Sequence, residues 1–160
     1  SRTDRNRIGR AGLTQALGVT QTFKVGESMS QKPIATWHQL VKANDPSGLD
    51  SLLADDVVFI SPVVHTPQHG KALAKAYLSA AFHVFFNSSF RYVREIIGDS
   101  DAMLEFETEI DGVLVNGVDI IKWNTHGQIT EFKVMVRPLK AITVIHERMG
   151  AMLAAAQRSK

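Results

Sequence analysis

Residues 103–138 read MLEFETEIDGVLVNGVDIIKWNTHGQITEFKVMVRP, and this stretch decides the fold. From 104 to 110, glutamates at every second position alternate with Leu, Phe, Thr and Ile, which is the two-residue period of a half-buried strand. Asp111-Gly112 then predicts a tight hairpin turn, because such two-residue turns need positive φ at both central positions. A second turn at 124–127 and a stop at Pro138 bound a third strand. The stretch therefore predicts a three-stranded antiparallel meander.

The alternation singles out Asp119. If Leu104 and Phe106 face the core, the matching residues of the meander face it too: Thr108, Val113, Val115, Gly117, Asp119, Ile121, Trp123, Thr130, Phe132, Val134 and Val136. Asp119 is then the one ionisable residue of an apolar face, where burial is costly and raises the pKa of a carboxyl. Two interpretations stay open. Asp119 is either an acid/base group or a structural polar contact satisfied by Trp37, Tyr77, Ser61 or the backbone.

The opposite face of the meander is charged and partly apolar. Acids and cations on neighbouring strands predict cross-strand ion pairs, and apolar residues lie among them. The face consists of Glu105, Glu107, Glu109, Val118, Ile120, Lys122, Glu131, Lys133, Met135 and Arg137. Such a surface is a candidate dimer interface, so we expect a homodimer through the outer face of the sheet.

The rest of the chain adds helices before the meander. Apolar spacing predicts helices at 34–42, 49–53 and 71–86, strands at 57–60 and 90–97, and a C-terminal helix ending near Gln157. Helices early and strands late indicate an α+β fold. We expect a curved antiparallel or mixed sheet wrapped around three N-terminal helices, giving a cone-shaped α+β barrel with an internal pocket.

Composition narrows the functional classes. The chain has 160 residues, 44% of them hydrophobic, which suits one globular domain, and it has no cysteine for disulfides or thiol chemistry. Five cations against two acids give residues 1–28 a charge of +3, so the net +2 of the whole chain leaves residues 29–160 slightly acidic. Nucleic-acid binding is therefore not expected. No apolar run is long enough to cross a membrane, and we expect a cytoplasmic protein.

The first 28 residues predict a segment apart from the domain. Their Arg-rich, acid-poor composition suits a transit peptide, yet Met29 opens a segment that begins a domain at once. We interpret residues 1–28 as a flexible leader or upstream segment and residues 29–160 as a single domain.

Two histidines lie in the loop at 63–70. The spacing of His65 and His69 suits a metal site on a helix, but Pro67 between them prevents a helix and a third ligand is not evident. We therefore predict no metal and no cofactor. His65 is the candidate general base to pair with Asp119, since histidine titrates near neutral pH.

Three runs carry a resemblance to a known superfamily: LLADDVVFISPV at 52–63, HGKALAKAYL at 69–78 and VDIIKWNTHGQITEF at 118–132. They resemble the nuclear transport factor 2-like superfamily, which includes ketosteroid isomerase and SnoaL-like polyketide cyclases and shares an α+β cone. The ending VMVRPLKAI at 134–142 looks like a bacterial SnoaL-like branch whose members mostly lack an assigned activity.

The resemblance implies roles for three positions. The general base of the isomerases falls at Ser61, whose neutral hydroxyl cannot shuttle a proton unaided. Their tyrosine donor falls at Trp37, and their second aspartate falls at Asp119, which also matches the acid/base aspartate of the cyclases. Steroid isomerisation is therefore not expected, nor is epoxide hydrolysis, which in this superfamily needs a second inward Asp and an Arg.

The predicted site combines these residues around an apolar ligand with a ring or polyketide-like skeleton. Asp119 and His65 are the candidate catalytic residues, and the candidate ligand-binding residues are Trp37, Phe59, Ser61, Tyr77, Phe82, Phe106, Gly117, Phe132 and Val134. Two functions remain open: a cofactor-independent acid/base enzyme of isomerase, cyclase or hydrolase type, or a non-catalytic ligand-binding or interaction domain.

Overall fold

The computed structural model describes residues 31–159, so the predicted leader at 1–28 lies outside the described part. The helices are α1 (Lys32–Ala43), α2 (Leu49–Leu52), α3 (Lys71–Phe85) and α4 (Leu139–Arg158), with a 3-10 turn at Pro46–Gly48. The strands are β1 (Leu53–Ile60), β2 (Gln68–His69), β3 (Arg91–Ile97), β4 (Asp101–Ile110), β5 (Val113–Trp123) and β6 (Ile129–Arg137).

The strands form one curved, mixed sheet in the order β2-β1-β6-β5-β4-β3. Strands β1 and β6 run parallel, and every other neighbouring pair is antiparallel. The predicted α+β fold with a mixed sheet is confirmed. The sheet is not a closed barrel, because β2 and β3 are its two edges and do not pair with each other.

The meander has the predicted register. Asp119 on β5 lies between Leu104 on β4 and Val134 on β6. The turn between β4 and β5 has positive φ at Asp111 (51°) and Gly112 (75°), as a primed hairpin turn requires. One inward assignment, that of Thr130, is wrong. A register shift beside Trp123 pairs Trp123 with Ile129, so Ile129 rather than Thr130 is fully buried.

Two boundaries near the start of the sheet differ from the prediction. The first strand begins at Leu53 rather than at 57, because Leu53 and Ala54 are buried in the extended chain instead of continuing the short helix α2. The loop at 63–70 contains the two-residue strand β2, whose His69 pairs with Val58. A strand this short leaves no alternation to detect.

The helices cover the inner face of the sheet. Helix α1 buries Ile34 and Trp37 one turn apart, and α3 buries Leu78 and Phe82 in the same way. Helix α4 follows the meander, packs against α3 and β5, and buries its early residue Ile145. The hydrophobic core therefore lies between the inner face of the meander and these three helices.

The outer face is charged and carries cross-strand ion pairs, as expected, but the cations of these pairs come from a strand outside the meander. Glu105 and Glu107 on β4 pair with Arg94 (3.3 Å) and Arg91 (2.7 Å) of the edge strand β3, rather than with the cations of β5 and β6. The reason is topological, because β3 is the other hydrogen-bonded neighbour of β4.

Candidate functional site

A cavity of about 140 Å³ lies between the inner face of the sheet and helices α1, α3 and α4. Aromatic and aliphatic side chains form most of its wall, and Asp119 on β5 is the one carboxyl that borders it among the described residues. Asp119 is only 5% exposed. The cavity is thus an apolar space with a single buried acid.

A chain of hydrogen bonds fixes the carboxyl group of Asp119. The Trp37 Nε1–H donates to the Tyr92 hydroxyl oxygen at 2.9 Å, and the Tyr92 hydroxyl donates to Asp119 Oδ2 at 2.7 Å. The three residues come from α1, β3 and β5, so the chain ties a helix to two strands. Tyr92 therefore occupies one of the two carboxyl oxygens of Asp119.

Burial controls the titration of this pair. Desolvation raises the pKa of Asp119 to about 7, and the hydrogen bond from Tyr92 lowers it by less. Desolvation and then the negative charge of Asp119 raise the pKa of Tyr92 well above its usual value. Tyr92 therefore stays protonated and donates, while Asp119 exchanges a proton near neutral pH.

Aromatic rings build the walls on either side of the acid. The Trp37 ring packs on Phe132 with centroids 4.8 Å apart, and Phe59 packs on Tyr77 at 5.4 Å. Beyond them, the Phe90 and Phe106 rings stack with centroids 5.4 Å apart. A flat ligand entering this space meets ring faces and edges, which favour aromatic and alicyclic surfaces.

The structure brings most of the predicted site residues to the cavity. Those that border it are Trp37, Phe59, Ser61, Tyr77, Phe106, Asp119, Phe132 and Val134. The remaining three lie elsewhere. His65 is in the exposed loop before β2, Phe82 is buried behind Trp37, and Gly117 lies beside Phe106.

The space left by the missing side chain at Gly117 is occupied by the Phe106 ring and is not available to a ligand. A Cβ atom at this position would clash with Phe106 Cζ and would lie 2.8 Å from the Met135 carbonyl oxygen. Glycine at 117 therefore lets the Phe106 ring lie flat across β5.

Ser61, at the position of the isomerase base, has a local role. Its Oγ accepts hydrogen bonds from the backbone N–H groups of Val63 (3.0 Å) and Val64 (3.3 Å), which shape the loop after β1. The hydroxyl hydrogen remains free to be donated toward the cavity that Ser61 borders.

Sequence reasoning missed Tyr92 and the contribution of α4. Tyr92 lies opposite Phe106 in the sheet, but a register shift between Tyr92 and Arg94 interrupts the alternation of this strand, so the pattern of residues 90–97 alone gives only a weak signal. His146 is exposed, yet it also borders the cavity together with Met149 and Leu153 of α4. Periodicity within α4 could show an apolar side but not what that side covers.

Within residues 31–159, there is no group of three or more His, Cys, Asp or Glu side chains that could hold a metal ion. The same part of the chain contains no helix with the length and hydrophobicity needed to cross a membrane.

Comparison with known proteins places the chain in a family. The model of the SnoaL-like domain matches residues 34–132, which run from the first turn of α1 to the middle of β6. The chain belongs to the SnoaL-like family. The predicted resemblance is thus confirmed, and Asp119, Tyr92 and Trp37 all lie within the matched SnoaL-like segment.

Solved structures agree with this membership. A steroid delta-isomerase from Pseudomonas aeruginosa is 33% identical, with a TM-score of 0.76 over 81% of this chain and 94% of the isomerase. An uncharacterised protein with a cystatin-like fold from Silicibacter pomeroyi is 32% identical, with a TM-score of 0.73 over 79% and 88%.

A third similar structure shows the fold alone. The NTF2-like protein of unknown function from Mesorhizobium loti is 18% identical, with a TM-score of 0.60 over 68% of this chain and 91% of that protein. Among curated proteins, none matches this SnoaL-like chain.

Proposed function

We propose that this SnoaL-like chain binds a small, largely apolar molecule in its cavity, with a ketone or hydroxyl oxygen of the ligand against Asp119. The observation that carries the proposal is the position of Asp119, a buried carboxyl on an otherwise apolar and aromatic wall. A buried carboxyl stabilises the fold poorly by itself, so a ligand oxygen that shares its proton would offset part of the cost of burial.

We further propose acid/base chemistry of isomerase or cyclase type at Asp119. A carboxyl with a pKa of about 7 donates a proton when neutral and accepts one when ionised, so at neutral pH both forms are present. Tyr92 stabilises the ionised form through its hydrogen bond to Oδ2. The likeness to a steroid delta-isomerase at 33% identity supports this direction, while the serine at position 61 argues against the pair of aspartates that the resemblance to ketosteroid isomerases implies.

A non-catalytic binding protein is the second candidate function. It is favoured by Ser61, whose oxygen is occupied as an acceptor by two backbone N–H groups and cannot act as a base. His65, the second titrating group expected from the sequence, is exposed and does not border the cavity. A binding protein needs only the hydrogen bond from Asp119 and the aromatic walls.

The test measures binding and proton transfer on the full chain. Cyclic ketones and phenols are screened by thermal shift against the parent, Asp119→Asn and Thr108→Val. Thr108 is the matched control, since it is buried on the same face, donates to the Phe85 carbonyl oxygen at 3.1 Å, and does not border the cavity. Ligands that bind only the folded state raise its melting temperature.

Binding that weakens in Asp119→Asn but not in Thr108→Val supports the ligand site. Deuterium exchange next to the carbonyl of a bound ketone, followed by NMR, then separates the two candidates. An enzyme loses about 10²- to 10⁴-fold of this exchange rate in Asp119→Asn. A protein that binds ketones without any accelerated exchange is a binder, and one that binds none of these compounds overturns the proposal.

We also propose that the outer face of the sheet binds a second copy of this chain. Ile96, Met103 and Met135 are exposed there at 62%, 46% and 56%. Arg94 and Glu105 border the same patch, so a two-fold copy can match acids to cations. Sedimentation of the parent and of Met135→Lys tests this: a dimer that the lysine converts to monomer supports the interface, and a monomeric parent at micromolar concentration contradicts it.

A further inference from the structure

Helix α4 forms a wall of the cavity outside the matched family segment. The family match ends at residue 132, whereas α4 begins at Leu139. Its cavity-facing residues are Ile145, His146, Met149, Gly150 and Leu153. They follow helical spacing along one side, so the side of α4 turned to the cavity is continuous for two turns.

The two halves of α4 are attached differently. Ala141 and Ile145 are buried at 0% and 1% exposure and fix the first half to the core. Met149 and Leu153 are only half-buried, and the described residues after Ile145 on this helix include none that is fully buried. The second half therefore borders the cavity through half-buried side chains, of which Met149 packs against the core.

The volume that this wall leaves is small. An apolar cavity of about 150 Å³ holds one benzene molecule, and pockets for drug-sized ligands measure about 300–1,000 Å³. The cavity here measures about 140 Å³. A single six-membered ring matches this volume, and a fused polycyclic skeleton exceeds it while α4 keeps this position.

We propose that Met149 and Leu153 determine ligand size, so that the SnoaL-like site takes single-ring ketones or phenols and excludes fused polycycles. This inference rests on the proposed function, since it concerns the ligand that meets Asp119. The sheet supplies the hydrogen bond, and the two α4 side chains end the space available beyond it. Replacing them with alanine extends the cavity toward the exposed side of α4.

The experiment uses the full chain and a phenol series graded by size: phenol, 2-naphthol and 2-hydroxyphenanthrene. Each compound presents one hydroxyl, so the series varies only the apolar skeleton. Affinity is measured for the parent, for the double variant Met149→Ala/Leu153→Ala, and for Met152→Ala. Met152 is the matched control because it is half-buried on the same helix but does not border the cavity.

If α4 selects ligands by size, the order of affinities in the phenol series should be the opposite of the order expected from hydrophobicity alone. Each added ring would tighten binding if it were buried, but in the parent affinity should fall from phenol to 2-hydroxyphenanthrene. The ratio of the affinity for 2-naphthol to the affinity for phenol should be about tenfold higher in the double variant than in the parent. This change corresponds to about 1.4 kcal/mol. Met152→Ala should rank the series as the parent does.

A variant of the opposite kind keeps the inference testable if the double variant folds poorly. Leu153→Phe adds volume at a half-exposed position and should weaken phenol binding about tenfold. The size inference is overturned if phenols bind and need Asp119 but the double variant ranks the series as the parent does, or if Leu153→Phe binds phenol as tightly as the parent. The proposed function itself fails in a different way, through absence of binding across the series or indifference to Asp119→Asn.

Discussion

The cavity has two walls of different character. On the sheet wall, Asp119 is fixed by strand register and by a hydrogen-bond chain that runs through Tyr92 to Trp37. On the α4 wall, Met149 and Leu153 are half-buried and form no such network among the described residues. The sheet wall lies inside the matched family segment, and the α4 wall lies outside it.

This difference separates two properties of the site. Strand register holds the acid in one place, so changes on the sheet wall should alter titration and stability together. The α4 wall is carried by a helix whose second half borders the cavity through half-buried side chains, so changes there should alter the range of ligands with little loss of stability.

The largest expected effect is a pH-dependent gain of stability in Asp119→Asn. The pKa of Asp119 is about 7 in the folded chain and close to 4 in an unfolded one. Between these values the folded chain keeps a proton that the unfolded chain has released, so rising pH removes stability from the parent and the loss is complete above the folded pKa. Asparagine has no such proton.

The free energy of unfolding of Asp119→Asn relative to the parent should therefore rise by on the order of 3–4 kcal/mol from about pH 4 to about pH 8. Denaturant melts across this range measure it. The difference between Thr108→Val and the parent should stay flat with pH. A flat curve for Asp119→Asn as well would show that Asp119 is ionised throughout and that its burial costs little.

Gly117→Ala should be the most damaging small substitution on the sheet wall. The new Cβ meets the Met135 carbonyl oxygen, which is backbone and cannot move aside cheaply, and it also meets the Phe106 ring. We expect a loss of about 2–3 kcal/mol in the free energy of unfolding. An unchanged melting temperature would mean that β5 and β6 separate easily at this point, which contradicts a rigid sheet wall.

Tyr92→Phe should remove the donor to Asp119 and the acceptor of Trp37 Nε1 at once. The expected loss is about 1–3 kcal/mol, because two buried polar groups lose a partner. The hydrogen bond from Tyr92 lowers the pKa of Asp119, so its removal should move the titration of Asp119 upward. Carboxyl carbon shifts in NMR follow that titration, and an unmoved midpoint would separate Tyr92 from the acid.

The sheet wall was largely predictable from the sequence, and the reason is periodicity. Alternation over residues 104–136 fixes which side chains share a face, and a single carboxyl on an apolar face identifies Asp119. The error at Thr130 came from a register shift, which a period of two cannot reveal. Tyr92 was missed because the edge strand has a bulge beside it and alternates poorly beyond that point.

The α4 wall was not predictable in the same way. Helical spacing shows that α4 has an apolar side. Which residues that side packs against depends on where the preceding strand β6 ends, and helical spacing does not show this. His65 and His146 illustrate the problem, since His65 lies in an exposed loop away from the cavity, whereas His146 on α4 borders it. The sequence of a loop predicts its turns but not which distant parts of the chain it lies near, so the position of His65 could be found only from the structure.

Gly150→Ala should contrast with Gly117→Ala. Gly150 borders the cavity on α4, and a Cβ there meets no atom within 4 Å. Alanine in a helix interior is more favourable than glycine by about 0.5–1 kcal/mol, so the melting temperature should rise. Phenol affinity reports whether the added methyl enters the cavity. A loss of stability at Gly150 would show that the second half of α4 is packed as tightly as the sheet.

The smallest effect should come from the ion pair that joins α4 to the β4–β5 turn. Arg148 Nε donates to Asp111 Oδ2 at 2.7 Å, and a second bond joins Nη2 to Oδ1. Hydrogen bonding to Arg148 lowers the pKa of Asp111, yet both side chains are exposed, and such pairs contribute little to stability. Arg148→Gln should therefore leave the melting temperature nearly unchanged.

The same variant should speed the association of phenol, because the pair holds the half of α4 that borders the cavity. Lys75→Gln is the control, since Lys75 pairs with Asp50 at 3.4 Å on the surface and Lys75 does not border the cavity. Stopped-flow binding at low and high salt measures the rate. Salt screens exposed pairs, so high salt should raise the parent's rate toward that of Arg148→Gln. Equal rates in all three proteins at low salt would mean that α4 does not limit entry and that its side chains select ligands by volume alone.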